Sequence, residues 1–154
     1  MRTLDTLIVE SPLFADLETD ELELIAGCAR NVVFDVGDRL FTEGEHADTF
    51  YLVRHGLAAL EQFVPNKGML TVQTIGPGEI VGWSWLVPPY RWQLSGRAVE
   101  GLRAIAFDGV CLRDKLAADP ELGYRLLMRF SGELVELLTA ARLQLMDVYG
   151  NGSR

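Results

Sequence analysis

The run Gly82–Gln93, GWSWLVPPYRWQ, holds the densest set of groups able to do chemistry: the indoles Trp83, Trp85 and Trp92, the Ser84 hydroxyl, the Gln93 amide and the Arg91 guanidinium. Indoles present large apolar faces and an N–H donor, so they either fill a space or line it for stacking. An arginine fork suits a single anion, and Arg91 reads either as an anion ligand or as a surface arginine stacked on Tyr90 or Trp92. The paired prolines do not fit strand alternation, which predicts a loop-like insertion.

Other reactive residue types are sparse. His46 falls in a glycine- and acid-rich turn and His55 precedes Gly56, and neither stands beside a Cys, Asp or Glu cluster of metal-ligand spacing. Both read as solvated turn histidines. Cys28 and Cys111 are far apart with no CxxC spacing, which predicts two reduced core thiols in preference to a disulfide framework or a metal site. Two separated cysteines also cannot supply the four thiolates of an iron–sulfur cluster. The chain contains no Gly-x-Ser-x-Gly, HExxH, P-loop or dinucleotide fingerprint, which points away from an enzyme and assigns no metal. The acidic runs around Asp16–Glu23 and Glu133–Glu136 read as solvated helix faces, or as docking faces for a basic protein partner.

Short elements must position these groups. After Ser11-Pro12, the stretch LFADLETDELELIAGCA predicts a helix with Thr19 or Asp20 as N-cap and Leu22, Ile25 and Ala29 on one face. From Asn31 onward, β-prone runs at Arg39–Thr42, Thr49–Arg54, Leu57–Phe63, Leu70–Ile75, Arg97–Val99 and Leu102–Phe107 are broken by Gly, Pro, Asn or Asp, the pattern of a barrel or roll. Pro65–Gly68 predicts a hairpin tip. Asp108 is the expected N-cap of a short helix, and Asp119-Pro120 opens a final helix. Along that helix, Leu127, Phe130, Leu134, Leu137, Ala141, Leu145 and Val148 recur at spacings of three and four. The stripe either packs on its own roll or pairs with a second copy, as heptad-like seams do.

A chain of 154 residues with 49% hydrophobic and 23% charged residues fits one soluble domain, 1–154. A net charge of −8 argues against a phosphate-backbone binder, so no direct nucleic-acid partner is expected. The start lacks a signal-peptide pattern and no apolar run is long enough to span a bilayer, which predicts a cytoplasmic protein with no membrane partner.

The stretch GDRLFTEGEHADTFYLVRHG carries Gly37-Asp38, Gly44-Glu45, Ala47-Asp48, the apolar quartet Phe50–Val53 and Gly56. Set in the order helix, roll, short helix, long helix, it resembles the cyclic nucleotide-binding domain of the catabolite activator and Fnr superfamily over about residues 12–150. The resemblance implies an α+β fold. It predicts an antiparallel β-roll (double-stranded β-helix, jelly roll) over 31–107, preceded by a helical segment at 12–30 and followed by a short and a long helix over 108–149.

In that family a cassette between two strands holds the ligand: a short helix offers amides to the cyclic phosphate, a Glu takes the ribose hydroxyl and an Arg takes the phosphate. The resemblance therefore implies a ligand site on Ile80, Val81, Gly82, Trp83, Ser84, Trp85, Arg91, Trp92 and Gln93, with cyclic AMP or cyclic GMP as candidate effector; some relatives in the superfamily bind haem. Gly78–Gly82 matches the lead-in, which puts Trp83 in the place of the ribose Glu, and an indole cannot accept that hydrogen bond. Counting back from Arg97-Ala98 puts Trp92 at the phosphate Arg position and Arg91 one residue early. The activators' Thr-Ser pair on the long helix falls at Ala141-Arg142, so Arg142 becomes a candidate to stack on a base or meet an anion. The tryptophans then either fill the pocket or hold a flatter, less charged ligand.

The expected function is a regulatory ligand-sensing domain without a DNA-binding half, which signals through its long helix as a homodimer on Leu127, Phe130, Leu134, Leu137, Ala141 and Leu145. The alternative is a ligand-free dimerisation and scaffold module with a tryptophan-filled pocket.

Overall fold

The computed structural model describes residues 3–152. Two short helices, α1 (Leu4–Val9) and α2 (Thr19–Ala26), lead into eight strands: β1 (Ala29–Phe34), β2 (Arg39–Phe41), β3 (Thr49–His55), β4 (Ala58–Val64), β5 (Gly68–Ile75), β6 (Ile80–Val81), β7 (Ser95–Ala98) and β8 (Leu102–Asp108). Helices α3 (Gly109–Ala118) and α4 (Pro120–Gly152) follow. The strands form two four-stranded antiparallel sheets, ordered β1-β8-β3-β6 and β2-β7-β4-β5. This is the β-roll expected from the motif.

Strand alternation divides the core in two. Leu102, Ala104 and Ala106 of β8, with Tyr51 and Val53 of β3, face the roll interior. Their neighbours Ile105, Phe107, Phe50 and Leu52 face the opposite way, onto Ile8, Ile25, Leu112, Leu122, Leu126 and Phe130 of the helices. A period of two thus makes the first sheet apolar on both faces, and the helices must cover the outer one. At the β3–β4 corner Gly56 has φ +88°, and a Cβ there would lie 2.1 Å from the Gly101 carbonyl oxygen, so only glycine fits. At the β4–β5 tip Asn66 and Gly68 take φ of 71° and 83°, the angles that the Pro65–Gly68 turn predicts.

Several local expectations are corrected. The segment before Ser11 contains α1, whose Leu7 and Ile8 join the helix-side core. Helix α2 begins at Thr19 with Glu18 in the capping position, and the Glu18 amide donates to the Glu21 carboxylate at 3.0 Å. Ala29 belongs to β1, because the helix ends at Gly27 and the chain at once pairs with β8. Cys28 and Cys111 are not free thiols but a disulfide, their Cα atoms 5.7 Å apart. Eighty-three residues separate them in sequence, a proximity that only the fold creates. Asp108 caps α3 as predicted, accepting from the Cys111 amide at 3.0 Å, and Asp119 accepts from the Leu122 amide at the start of α4 at 3.2 Å. No helix among the described residues is long and apolar enough to cross a membrane.

Candidate ligand-binding site

Between β6 and β7 the chain runs through residues 83–94 without helix or regular strand, apart from one bridge between Arg91 and His46. Its own turns close on Leu86 N–H to the Trp83 carbonyl and Tyr90 N–H to the Val87 carbonyl, both at 3.1 Å. The loop therefore holds two single turns and no cassette helix. The Pro88-Pro89 bond is cis, as paired prolines in a tight turn permit.

Arg113, on α3, holds the loop from outside. Its guanidinium donates to the Trp85 carbonyl, lies 4.0 Å above the Tyr90 ring, and comes within 4.0 Å of the Asp48 carboxylate in the glycine-acid turn. Sequence reasoning missed this residue, for nothing in its neighbourhood of α3 marks it. On the other flank the Ala47 amide donates to the Tyr90 carbonyl at 2.7 Å and the Trp92 amide to the Glu45 carbonyl at 2.9 Å. The Gly44–Asp48 motif is thus a brace for the loop.

The three tryptophans have three different fates. Trp85 is fully buried in the helix-side core, stacked on Phe50 at 4.4 Å and edge-on to Phe130 at 5.8 Å. Its side chain belongs to the helix-side core and lines neither of the cavities beside Trp83. Trp92 is 6% exposed and lies flat on Phe41, with centroids 3.8 Å apart and planes 12° from parallel. A Cβ at Gly82, where φ is +95°, would come within 2.7 Å of that indole, so the glycine is what admits it. Trp83 is half-buried and meets Phe130 edge-on at 5.4 Å.

Around Trp83 two cavities open. The inner one, about 220 Å³, lies between Phe41, Leu60, Gln73, Gly82–Ser84, Trp92–Leu94 and Leu137. The outer one, about 270 Å³, shares Trp83, Ser84 and Gln93 and adds Leu86–Pro89, Arg91 and Leu134. Together they reach the lower part of the range of about 300–1,000 Å³ usual for small-molecule sites.

Among the sequence-predicted ligand residues, Gly82, Trp83, Ser84, Trp92 and Gln93 line the inner cavity. Arg91 reaches only the outer one, and it donates to the Gly44 carbonyl at 3.2 Å instead of stacking on Tyr90 or Trp92. Strand alternation sends Ile80 into the helix-side core and Val81 into the packed roll interior, and neither lines the two cavities. Arg142 is exposed on α4 and lines neither cavity. The predicted α4 stripe also splits. Phe130 is 0% exposed and closed to any second copy, Leu134 and Leu137 border the cavities, and Leu127, Ala141 and Leu145 are exposed. Phe41, Leu60 and Gln73 were not predicted, though their inward strand positions could have indicated them.

Two further charged pairs lie nearby in the sheets and turns. Glu61, buried on β4, accepts from Arg97 Nε at 3.1 Å and Nη2 at 3.0 Å, a bidentate cross-strand pair that raises the Arg97 pKa. His46 lies 3.3 Å from Asp48. Among the described residues no group of three His, Cys, Asp or Glu is placed to hold a metal ion.

A sequence profile of the family described as the cyclic nucleotide-binding domain matches residues 31–119, more than half of the chain. The CRP-like cAMP-activated global transcriptional regulator of Mycobacterium tuberculosis is 25% identical over 126 residues, which cover 80% of this chain and 55% of the regulator. The chain thus spans about half the length of the curated relatives it matches. A candidate cyclic nucleotide-binding protein from Geobacter metallireducens superposes with a TM-score of 0.79 at 27% identity, covering 89% of this chain and 99% of that one. The N-terminal domain of a transcriptional regulator from Streptomyces coelicolor gives a TM-score of 0.67 at 27% identity, covering 84% and 91%. Roll and matched span agree, and the chain belongs to the cyclic nucleotide-binding domain family of regulatory, ligand-sensing modules.

Proposed function

We propose that this chain is a sensing domain in which a small effector occupies the space beside Trp83, and α4 carries its occupancy to a second copy or another protein. The observation that supports this most directly is the shared wall. Trp83 of the loop lines both cavities, Leu134 of α4 the outer and Leu137 the inner one, and Trp83 also rests against Phe130 one turn before Leu134. A ligand that binds better at one of two α4 positions shifts the population between them, which is all that signalling requires. Amide hydrogen exchange tests this: a bound effector should slow exchange in α4 around Phe130–Leu137. A ligand that saturates the site and leaves that segment's exchange unchanged refutes the relay. Cyclic AMP and cyclic GMP are the family's ligands and the first to titrate by calorimetry alongside tryptophan emission; no heat and no spectral change removes them as effectors.

Dimerisation belongs to the same proposal. Leu138, Leu143, Leu145, Met146, Val148 and Tyr149 are exposed on α4, and a helix so apolar on several sides is normally covered. Pairing of two copies along Leu127, Ala141 and Leu145 would cover part of it. A second reading, a ligand-free dimerisation module, draws its support from Trp92, whose ring on Phe41 already fills the roll interior beside Gly82.

A further inference from the structure

We propose that the inner cavity selects an uncharged, flat aromatic or heteroaromatic molecule over a cyclic nucleotide, an inference that rests on the placement of the effector beside Trp83 argued above. None of the residues lining this cavity carries a charge; its polar side-chain groups are the amides of Gln73 and Gln93, the Ser84 hydroxyl and the indole N–H groups of Trp83 and Trp92. Those can hydrogen-bond a neutral ring system but cannot neutralise an anion. A cyclic phosphate keeps a full negative charge, and taking it out of water without a cation costs several kcal/mol.

The nearby cations do not make up the deficit. Arg91 stays at the outer cavity on the Gly44 carbonyl, Arg97 is committed to Glu61, and Arg113 faces Trp85 and Tyr90 from α3. The loop's turns leave no helix N-terminus to replace them. The helix wall adds no cation. Burial, then the charges of Glu136 and Glu79, raises the pKa of Glu133, which stands one turn before Leu137.

What the cavity does offer is aromatic surface. The Phe41–Trp92 stack forms one wall and Trp83 another, around about 220 Å³, room for a one- or two-ring molecule. Such walls reward planarity, and the two amides and the hydroxyl can orient ring nitrogens or oxygens.

The test titrates the full chain with indole, adenine and cyclic AMP, following tryptophan emission and α4 hydrogen exchange, with a Leu137→Trp variant to fill the cavity. The expected result is saturable binding of a neutral probe, at least tenfold tighter than cyclic AMP, and lost in Leu137→Trp. Cyclic AMP binding as tightly as both neutral probes would overturn the neutral-ligand inference and leave the sensing proposal standing. Neutral probes that bind at the cavity but leave α4 exchange unchanged would do the reverse. Binding that survives Leu137→Trp places the probe elsewhere and overturns the inference, and no binding by any of the three at millimolar concentration overturns both.

Discussion

Trp92 shows how one side chain shapes the roll interior. By count it stands where the phosphate arginine would be, and its ring lies on Phe41 and passes over Gly82. Replacing Trp92 with alanine removes that stack and should cost about 3–5 kcal/mol in urea unfolding, the usual loss for a buried aromatic. Gly82→Ala should cost about 1–3 kcal/mol by the same measurement, because the new Cβ meets the indole and the φ of +95° is strained for any L side chain. The residue types at this site were legible in the sequence. Their directions were not. Trp83 and Trp85 stand two apart in irregular backbone, where no period tells which ring enters the core and which borders a cavity.

The elements matter through their ties. Helix α3 is fixed on one side by the Cys28–Cys111 disulfide and by Lys115 donating to the Leu24 carbonyl at 2.7 Å, and on the other side it holds the 83–94 loop through Arg113. A Cys28→Ser/Cys111→Ser variant should unfold with about 2–4 kcal/mol less stability than the oxidised protein, because the bond closes a long loop; the two should converge under reducing conditions. Helix α2 is tied to α4 by Glu21 and Arg125. Hydrogen bonding from Arg125, then from the Glu18 amide, holds the Glu21 carboxyl below its ordinary value of 4.5. A folded-state pKa below the unfolded one contributes stability that is present above the unfolded value and lost as pH falls through the folded one. Unfolding midpoints should therefore fall on acidification below about pH 5, and a Glu21→Gln variant should show a shallower fall. Glu133 has the opposite sign: its raised pKa favours the folded state at low pH, so Glu133→Gln should raise the melting temperature at pH 7 more than at pH 4.

For the whole molecule, the decisive quantity is the apolar surface left on the C-terminal half of α4. A Leu138→Glu/Leu145→Glu double variant should sediment as monomer at concentrations where the parent is dimeric, with the roll's strand content unchanged by circular dichroism. A parent that is monomeric at high concentration defeats the dimer proposal. The glycine and acid spacing of Val36–Gly56, the alternation of short strands and the three-four rhythm of α4 are local patterns, and each follows from backbone periodicity alone. The sequence by itself therefore determined the roll, the order of its flanking helices, the Asp108 cap and the tryptophan that follows the Gly78–Gly82 lead-in. Only the tertiary structure decided that Cys28 meets Cys111, that Phe130 turns inward while Leu127 does not, and that Arg113 and not Arg91 stacks on Tyr90. Those outcomes depend on contacts between segments distant in the chain, which close packing settles by volume and shape, and no local period encodes them.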